Sequence, residues 1–202
     1  MTRARFRGQI TGLGSTSGVR VVVGRWRSSP YGAFADAMLE RPDGHRVLVA
    51  PREDVARLIA ATYVFDEVRV EPVEVGVRGD HWRLRSPSLS LEWAVGRRTW
   101  LGRVLRCVPR VVAEATWFTV LTDPVARLVL PGVRTRGRAR DGREWYGATD
   151  HHAVVSLTGS YGGRDLGGLA PIDPSPRFGF SSTPRRPSLT SVVSTVEVGS
   201  GR

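Results

Sequence analysis

Arg134, Arg136, Arg138 and Arg140 alternate strictly with Thr135, Gly137 and Ala139. On a strand successive side chains point to opposite faces, so four guanidiniums would line one face at intervals of about 6.6 Å, twice the rise per residue. Aligned cations repel one another unless acids or an external anion sit against them. The planar fork of arginine suits carboxylate or phosphate. Glu144, across a turn expected at Asp141-Gly142, can neutralise one of the four. The run reads either as a solvated, partly salt-bridged edge or as a surface for a small anion or a nucleic acid.

A second constellation is Asp150-His151-His152. The two histidines point to opposite faces of a regular strand and cannot share an ion, whereas Asp150 and His152 share a face. That pair, with Glu144 nearby, is the candidate for acid/base chemistry. With His45 or His81 as a third ligand it could hold zinc. Four histidines without a ligand spacing do not make a metal signature, so no metal is assigned.

Other chemistries are excluded by what is missing. The 30 basic residues are all arginine, which rules out a Schiff base, a Walker lysine and a lysine general base. Gly12-Leu13-Gly14 faintly echoes a nucleotide-binding turn, but a valine-rich strand follows where a helix is required. Gly159-Ser160-Tyr161-Gly162 falls short of a nucleophile elbow. Cys107 is expected to pack on the apolar edge of a helix, and no cofactor motif is present.

The elements that must position these residues are mostly strands. Valines 21–23 lie in a β-branched run from Arg20 to Arg27, after a Gly/Ser/Thr loop expected over Gly12–Gly18. Pro42-Asp43-Gly44 predicts a hairpin between Ala33–Glu40 and His45–Val49. Val55, Leu58, Ile59 and Thr62 recur at helical spacing behind Glu53 and Asp54. Three strands in meander order are expected next, with a bulge or sheet corner at Pro72, where the valine alternation changes phase. Leu89, Leu91 and Trp93 alternate with polar residues as in a half-buried strand. A basic helix is expected from Arg97, packing Trp100, Val104 and Val108 on the sheet with its arginines in water. Val111–Leu121 fits either helix or strand. Val125–Leu130 and Ala153–Leu157 read as strands, and Gly159–Gly168 as a loop. The final third is expected to contain ordered strands around Phe178 and Phe180 and around Val192, Val196 and Val198, with Gly199–Arg202 fraying.

Composition sets the outer bounds. The formal charge is +11, but residues 28–80 hold 6 Arg against 10 Asp and Glu, whereas residues 83–143 hold 13 Arg against 4. Basicity therefore belongs to the middle of the chain, and anionic partners are the class it favours. The basic N-terminus leads into no apolar signal segment, and no stretch reaches the roughly 20 apolar residues of a membrane span, so a cytoplasmic location is expected. The chain reads as a single β-rich domain over 1–202, with possible halves 1–95 and 96–202 sharing one core. Its expected class is α+β, mostly β, an antiparallel curved sheet or closed or near-closed β-barrel with about two short helices.

Ser29-Pro30-Tyr31-Gly32-Ala33-Phe34-Ala35-Asp36, Thr62-Tyr63-Val64-Phe65-Asp66, Leu130-Pro131-Gly132-Val133-Arg134-Thr135-Arg136-Gly137 and Arg177-Phe178-Gly179-Phe180 together resemble a set of proteins from high-GC actinobacteria. The resemblance implies a source and a unit of this length, with no activity or site residues attached. A barrel with flanking helices also invites comparison with acetoacetate-decarboxylase-like folds, whose chemistry uses a lysine absent here. The leading functional expectation is a non-catalytic binding domain for a small anionic or lipophilic ligand, held in a barrel mouth and oriented by arginines 134–140. The alternatives are an enzyme using Asp150 and His152, and arginine-mediated nucleic-acid binding.

Overall fold

The computed structural model describes residues 2–107, 136–139, 142–179 and 183–198. One curled sheet dominates. Its main path of ten strands runs β5-β4-β3-β2-β1-β13-β10-β8-β7-β6. In chain order the described strands are β1 (Thr2–Ser15), β2 (Arg20–Ser28), β3 (Phe34–Glu40), β4 (Arg46–Ala50), β5 (Glu67–Val70), β6 (Glu74–Arg78), β7 (His81–Arg85) and β8 (Leu89–Arg98), followed by β9 (Arg136–Ala139), β10 (Gly142–Tyr161), β11 (Arg164–Asp165), β12 (Leu169–Ala170) and β13 (Ser188–Val198), with β9, β11 and β12 pairing off the main path. Helix α1 (Glu53–Thr62) lies between β4 and β5, and α2 (Trp100–Cys107) follows β8. The mostly β curved sheet is the fold that the alternating patterns predict.

The two edge strands, β5 and β6, are neighbours in sequence, joined only by Glu71-Pro72-Val73. Four Cα steps of 3.8 Å hold Val70 and Glu74 within about 15 Å, so the sheet must curl into a half-barrel. Pro72 marks the corner that the phase change in valines predicts. Two cation–π contacts join strands that are far apart in the sheet order. The Arg25 guanidinium of β2 lies 5.5 Å from the Trp82 ring of β7, and that of Arg69 in β5 lies 5.4 Å from Tyr161 in β10. Glu71 adds a third link by accepting hydrogen bonds from the hydroxyls of Ser86 and Ser88 at the β7–β8 turn.

The period of two sorts side chains onto two faces. On the concave face Leu13, Val21, Leu39, Val49, Leu84 and Trp93 meet in one core, with Trp82 stacked on Trp93 at 5.8 Å. On the convex face Phe6, Val22, Phe34, Met38 and Leu48 form a second core under Val55, Ala56 and Ile59 of α1. That helix runs over Glu53–Thr62 and carries Glu53 and Asp54 in its first turn, where the helix dipole favours acids.

Several expectations are revised. No loop occupies Gly12–Ser15, because β1 runs through it. A Cβ at Gly12 would press on Thr183, and one at Gly14 on the Pro171 and Ala170 carbonyls, so these glycines make room for a crossing segment rather than a turn. Strand β5 does not join a meander; it pairs parallel with β4 because α1 returns the chain to the same end of the sheet. Strands β6, β7 and β8 do form antiparallel neighbours in order. Strand β10 continues through Gly159 to Tyr161, turns at Gly162-Gly163 and pairs back through β11, where a loop was expected. Phe178 lies in an irregular segment and not in a strand, yet it is buried against α1 and Phe65. Val108–Leu121, Val125–Leu130, Phe180 and Gly199–Arg202 lie outside the described residues.

Helix α2 differs most. Strand β8 extends through Arg98, and Thr99 caps the helix by accepting the Gly102 N–H on its hydroxyl at 3.2 Å. Gly102 is the buried residue, seated on the His151 backbone, where a Cβ would collide with the carbonyl oxygen. That close approach turns the expected contact stripe outward, leaving Trp100 62% and Val104 53% exposed. Cys107 is also exposed instead of packed. Among the described residues no helix is long and apolar enough to cross a membrane.

Candidate functional site

The concave side, where the sequence suggests a ligand mouth, is occupied by the core around Leu84, Leu91 and Trp93. An apolar opening lies instead on the convex side, between α1 and the strands β1, β2, β3 and β13. Its volume is about 70 Å³. Phe6, Ile10, Val22, Trp26, Phe34 and Met38 supply the sheet wall, while Leu58, Ile59, Thr62 and Tyr63 supply the helix wall. Gly24, Asp36 and Ser194 complete it.

The strand register explains how this opening arises. Gly24 stands between Ile10 on β1 and Asp36 on β3 in one cross-strand row. With no side chain there, the row has a gap over the middle of the sheet. Trp26, two residues along the same face of β2, fills part of it by turning its indole over Gly24, and its Nε1–H donates to Asp36 Oδ1 at 2.9 Å. A Cβ at Gly24 would collide with both of those atoms. Phe6 meets the Trp26 ring edge-on at 5.8 Å and stacks on Tyr31 at 6.4 Å, while Phe34 lies 6.4 Å from Trp26 on the other side. These rings limit water around the carboxyl.

Asp36 is 4% exposed. Burial pushes its carboxyl up to about 6, against the Trp26 hydrogen bond, which favours the charged form. Among the described residues no arginine or histidine lines the opening. Asp36 was not singled out from the sequence, although a signal existed. It is the one ionisable residue inside Phe34-Ala35-Asp36-Ala37-Met38-Leu39, all of which are buried, and such a residue needs a partner or a purpose.

The residues that were singled out lie elsewhere. Arg134 and Arg140 are outside the described residues. Arg136 and Arg138 do sit in a strand, β9, where Arg138 is opposite Arg143 and Gly137 is opposite Glu144 on β10. Asp150 and His152 do share a face, with His152 Nε2 3.5 Å from Asp150 Oδ2. The fork of Arg98 holds Asp150 at 2.8 and 3.0 Å, and the Gly96 carbonyl engages His152 Nδ1 at 3.2 Å. Burial raises the Asp150 carboxyl, but the Arg98 and His151 hydrogen bonds with the adjacent His152 outweigh it, so the net position is below the ordinary carboxylate range. A carboxylate held so firmly in its charged form is a weak base. His45 pairs with Glu67 at 3.2 Å and exposed His81 with Asp80 at 3.5 Å, so neither serves as a third ligand. Among the described residues no group of three acidic, histidine or cysteine side chains could hold a metal ion.

His151 faces the other way, buried under α2. Its Nδ1 lies 2.9 Å from the Thr99 hydroxyl, while its Nε2 is buried without a hydrogen-bond partner. Burial lowers its proton affinity, as does neighbouring His152, with Asp150 opposing.

Neither a family model nor a curated protein sequence matches the chain. Among solved structures it is similar to acetoacetate decarboxylase from Legionella pneumophila, at 11% identity and a TM-score of 0.36, covering 98% of this chain and 86% of that one. It is also similar to a candidate AttH from Nitrosomonas europaea, at 12% identity and a TM-score of 0.31, covering 99% of this chain and 52% of that one.

Proposed function

We propose that the protein is a binding domain for a small lipophilic molecule, whose apolar end enters the opening between α1 and the convex face of the sheet. The observation that carries this reading is an unfilled, aromatic-lined space between two elements that otherwise pack closely. Protein interiors ordinarily leave few voids, and apolar openings with one or two placed polar groups are the usual form of small-molecule sites. At about 70 Å³ the space suits a ring or a short alkyl end, with the rest of the ligand reaching outward. The anionic half of the expectation rests on arginines 134–140 and remains a separate proposal. At this opening the chemistry favours the lipophilic half.

The test is fluorescence titration with N-phenyl-1-naphthylamine, uncharged at neutral pH. Saturable enhancement at one probe per chain is expected. It should be lost in Val22→Phe, which fills the opening, while the far-ultraviolet circular dichroism stays unchanged. Absence of saturable binding, or equal binding by a folded Val22→Phe variant, would overturn the proposal.

A further inference from the structure

We infer that Asp36 is the recognition group of this opening and that the ligand is a lipophilic ammonium, a protonated primary amine on an apolar tail. The inference rests on the opening being a ligand site, and it names the chemistry that site selects. Among the described residues Asp36 is the one carboxyl lining the space, and no arginine or histidine lines it. The other polar groups are the hydroxyls of Thr62, Tyr63 and Ser194.

Among the described lining residues an anionic ligand would be buried next to a carboxyl with no cation to compensate either group, which is strongly unfavourable. An ammonium reverses that balance. It donates a charge-assisted hydrogen bond to the carboxylate, in an opening lined by the aromatic residues Phe6, Trp26, Phe34 and Tyr63, any of whose ring faces would attract a cation placed over it. The geometry is already set for this. The Trp26 N–H holds Oδ1 at 2.9 Å and so fixes the rotation of the carboxyl, while Gly24, lacking a Cβ, leaves the room in which that oxygen and the indole nitrogen meet. Trp26 and Gly24 are thus positioning residues, and Asp36 makes the contact.

The experiment is calorimetric titration of the wild type and Asp36→Asn at pH 7.5 with hexylamine, 1-hexanol and hexanoate, which share a tail and differ in the head. Asparagine preserves an acceptor for Trp26 and removes the charge. In the wild type hexylammonium should bind at least tenfold more tightly than hexanol, with hexanoate weakest. In Asp36→Asn the advantage of the amine should vanish while hexanol binding stays within about twofold. If hexanol matches hexylamine in the wild type, or the variant keeps the preference, the ammonium assignment is wrong although the lipophilic opening stands. If neither the three probes nor N-phenyl-1-naphthylamine binds, the opening itself is not a ligand site and both readings fall. Urea unfolding of Asp36→Asn separates lost binding from lost fold.

Discussion

Trp26 Nε1 reaches Asp36 Oδ1 at 2.9 Å across a strand pair in which the residue opposite Asp36 is Gly24. The bond therefore depends on a missing side chain as much as on the two present. It satisfies one oxygen of a buried acid without supplying a counter-charge, and this distinguishes Asp36 from Glu40, the other buried carboxylate among the described residues, which is paired with Arg20 at 3.0 Å.

That difference has a measurable pH signature. The Asp36 carboxyl lies at about 6 in the fold and near 3.9 in an unfolded chain. The native state holds its proton more tightly, so the stability this group contributes is fully present below about pH 4 and declines as pH rises to 6. A shift of two units corresponds to about 3 kcal/mol. Asparagine does not titrate in this range. The stability of Asp36→Asn relative to the wild type should therefore rise by about 3 kcal/mol between pH 4 and pH 7.5, measured by urea unfolding at each pH. A difference that is flat with pH, or falls, would show that the carboxyl is not held in its neutral form.

Glu40 is buried with a partner. It is fully buried, pairs with Arg20, and accepts hydrogen bonds from the Arg177 backbone N–H at 2.5 Å and from its Nε at 3.2 Å. Glu40→Ala leaves the buried Arg20 charge uncompensated and should cost about 3–5 kcal/mol. Arg177 is 72% exposed, so Arg177→Ala keeps the backbone contact and should cost about 1 kcal/mol or less. Similar losses for the two variants in urea unfolding would contradict this hierarchy.

A third expectation concerns α2. Gly102→Ala places a methyl group against the His151 carbonyl and should lift the helix from β10. Hydrogen exchange across residues 100–107 should quicken at least tenfold, with β1 and β13 unchanged. Unaltered protection of α2 would mean that the helix is held by something other than the Gly102 seat.

These sites differ in how far the chain discloses them. The β3–β4 hairpin was legible because Pro42-Asp43-Gly44 acts locally; Gly44 takes φ 86° and donates its N–H to the Arg41 carbonyl. Helix α1, strand β8 and the corner at Pro72 were legible for the same reason, since period and phase are properties of neighbouring residues. The parallel β4–β5 pair was not, because it depends on where α1 returns the chain. Gly12, Gly14 and Gly102 misled because each looks like a break in a local pattern, yet serves a contact with a segment distant in sequence. The opening was hidden for that reason too. Its walls come from β1, β2, β3, α1 and β13, and only Asp36 within an apolar run hinted that anything converged there.

Strand β13 lies between β1 and β10, in register with Thr2–Gly12 on one side and Gly142–Ala153 on the other. It also follows the other described strands in sequence. During synthesis the ladder from β5 to β1 and the ladder from β10 to β6 therefore exist as two separate pieces, each exposing an unpaired central strand. The ribosome must release the wedge that joins them before either is protected. Such long-range pairing is slow to form, and bare strand edges invite pairing with other chains. The nascent protein is thus most vulnerable to self-association in the interval before Ser188–Val198 emerges, and the alternating residues of that one segment decide how quickly the interval closes.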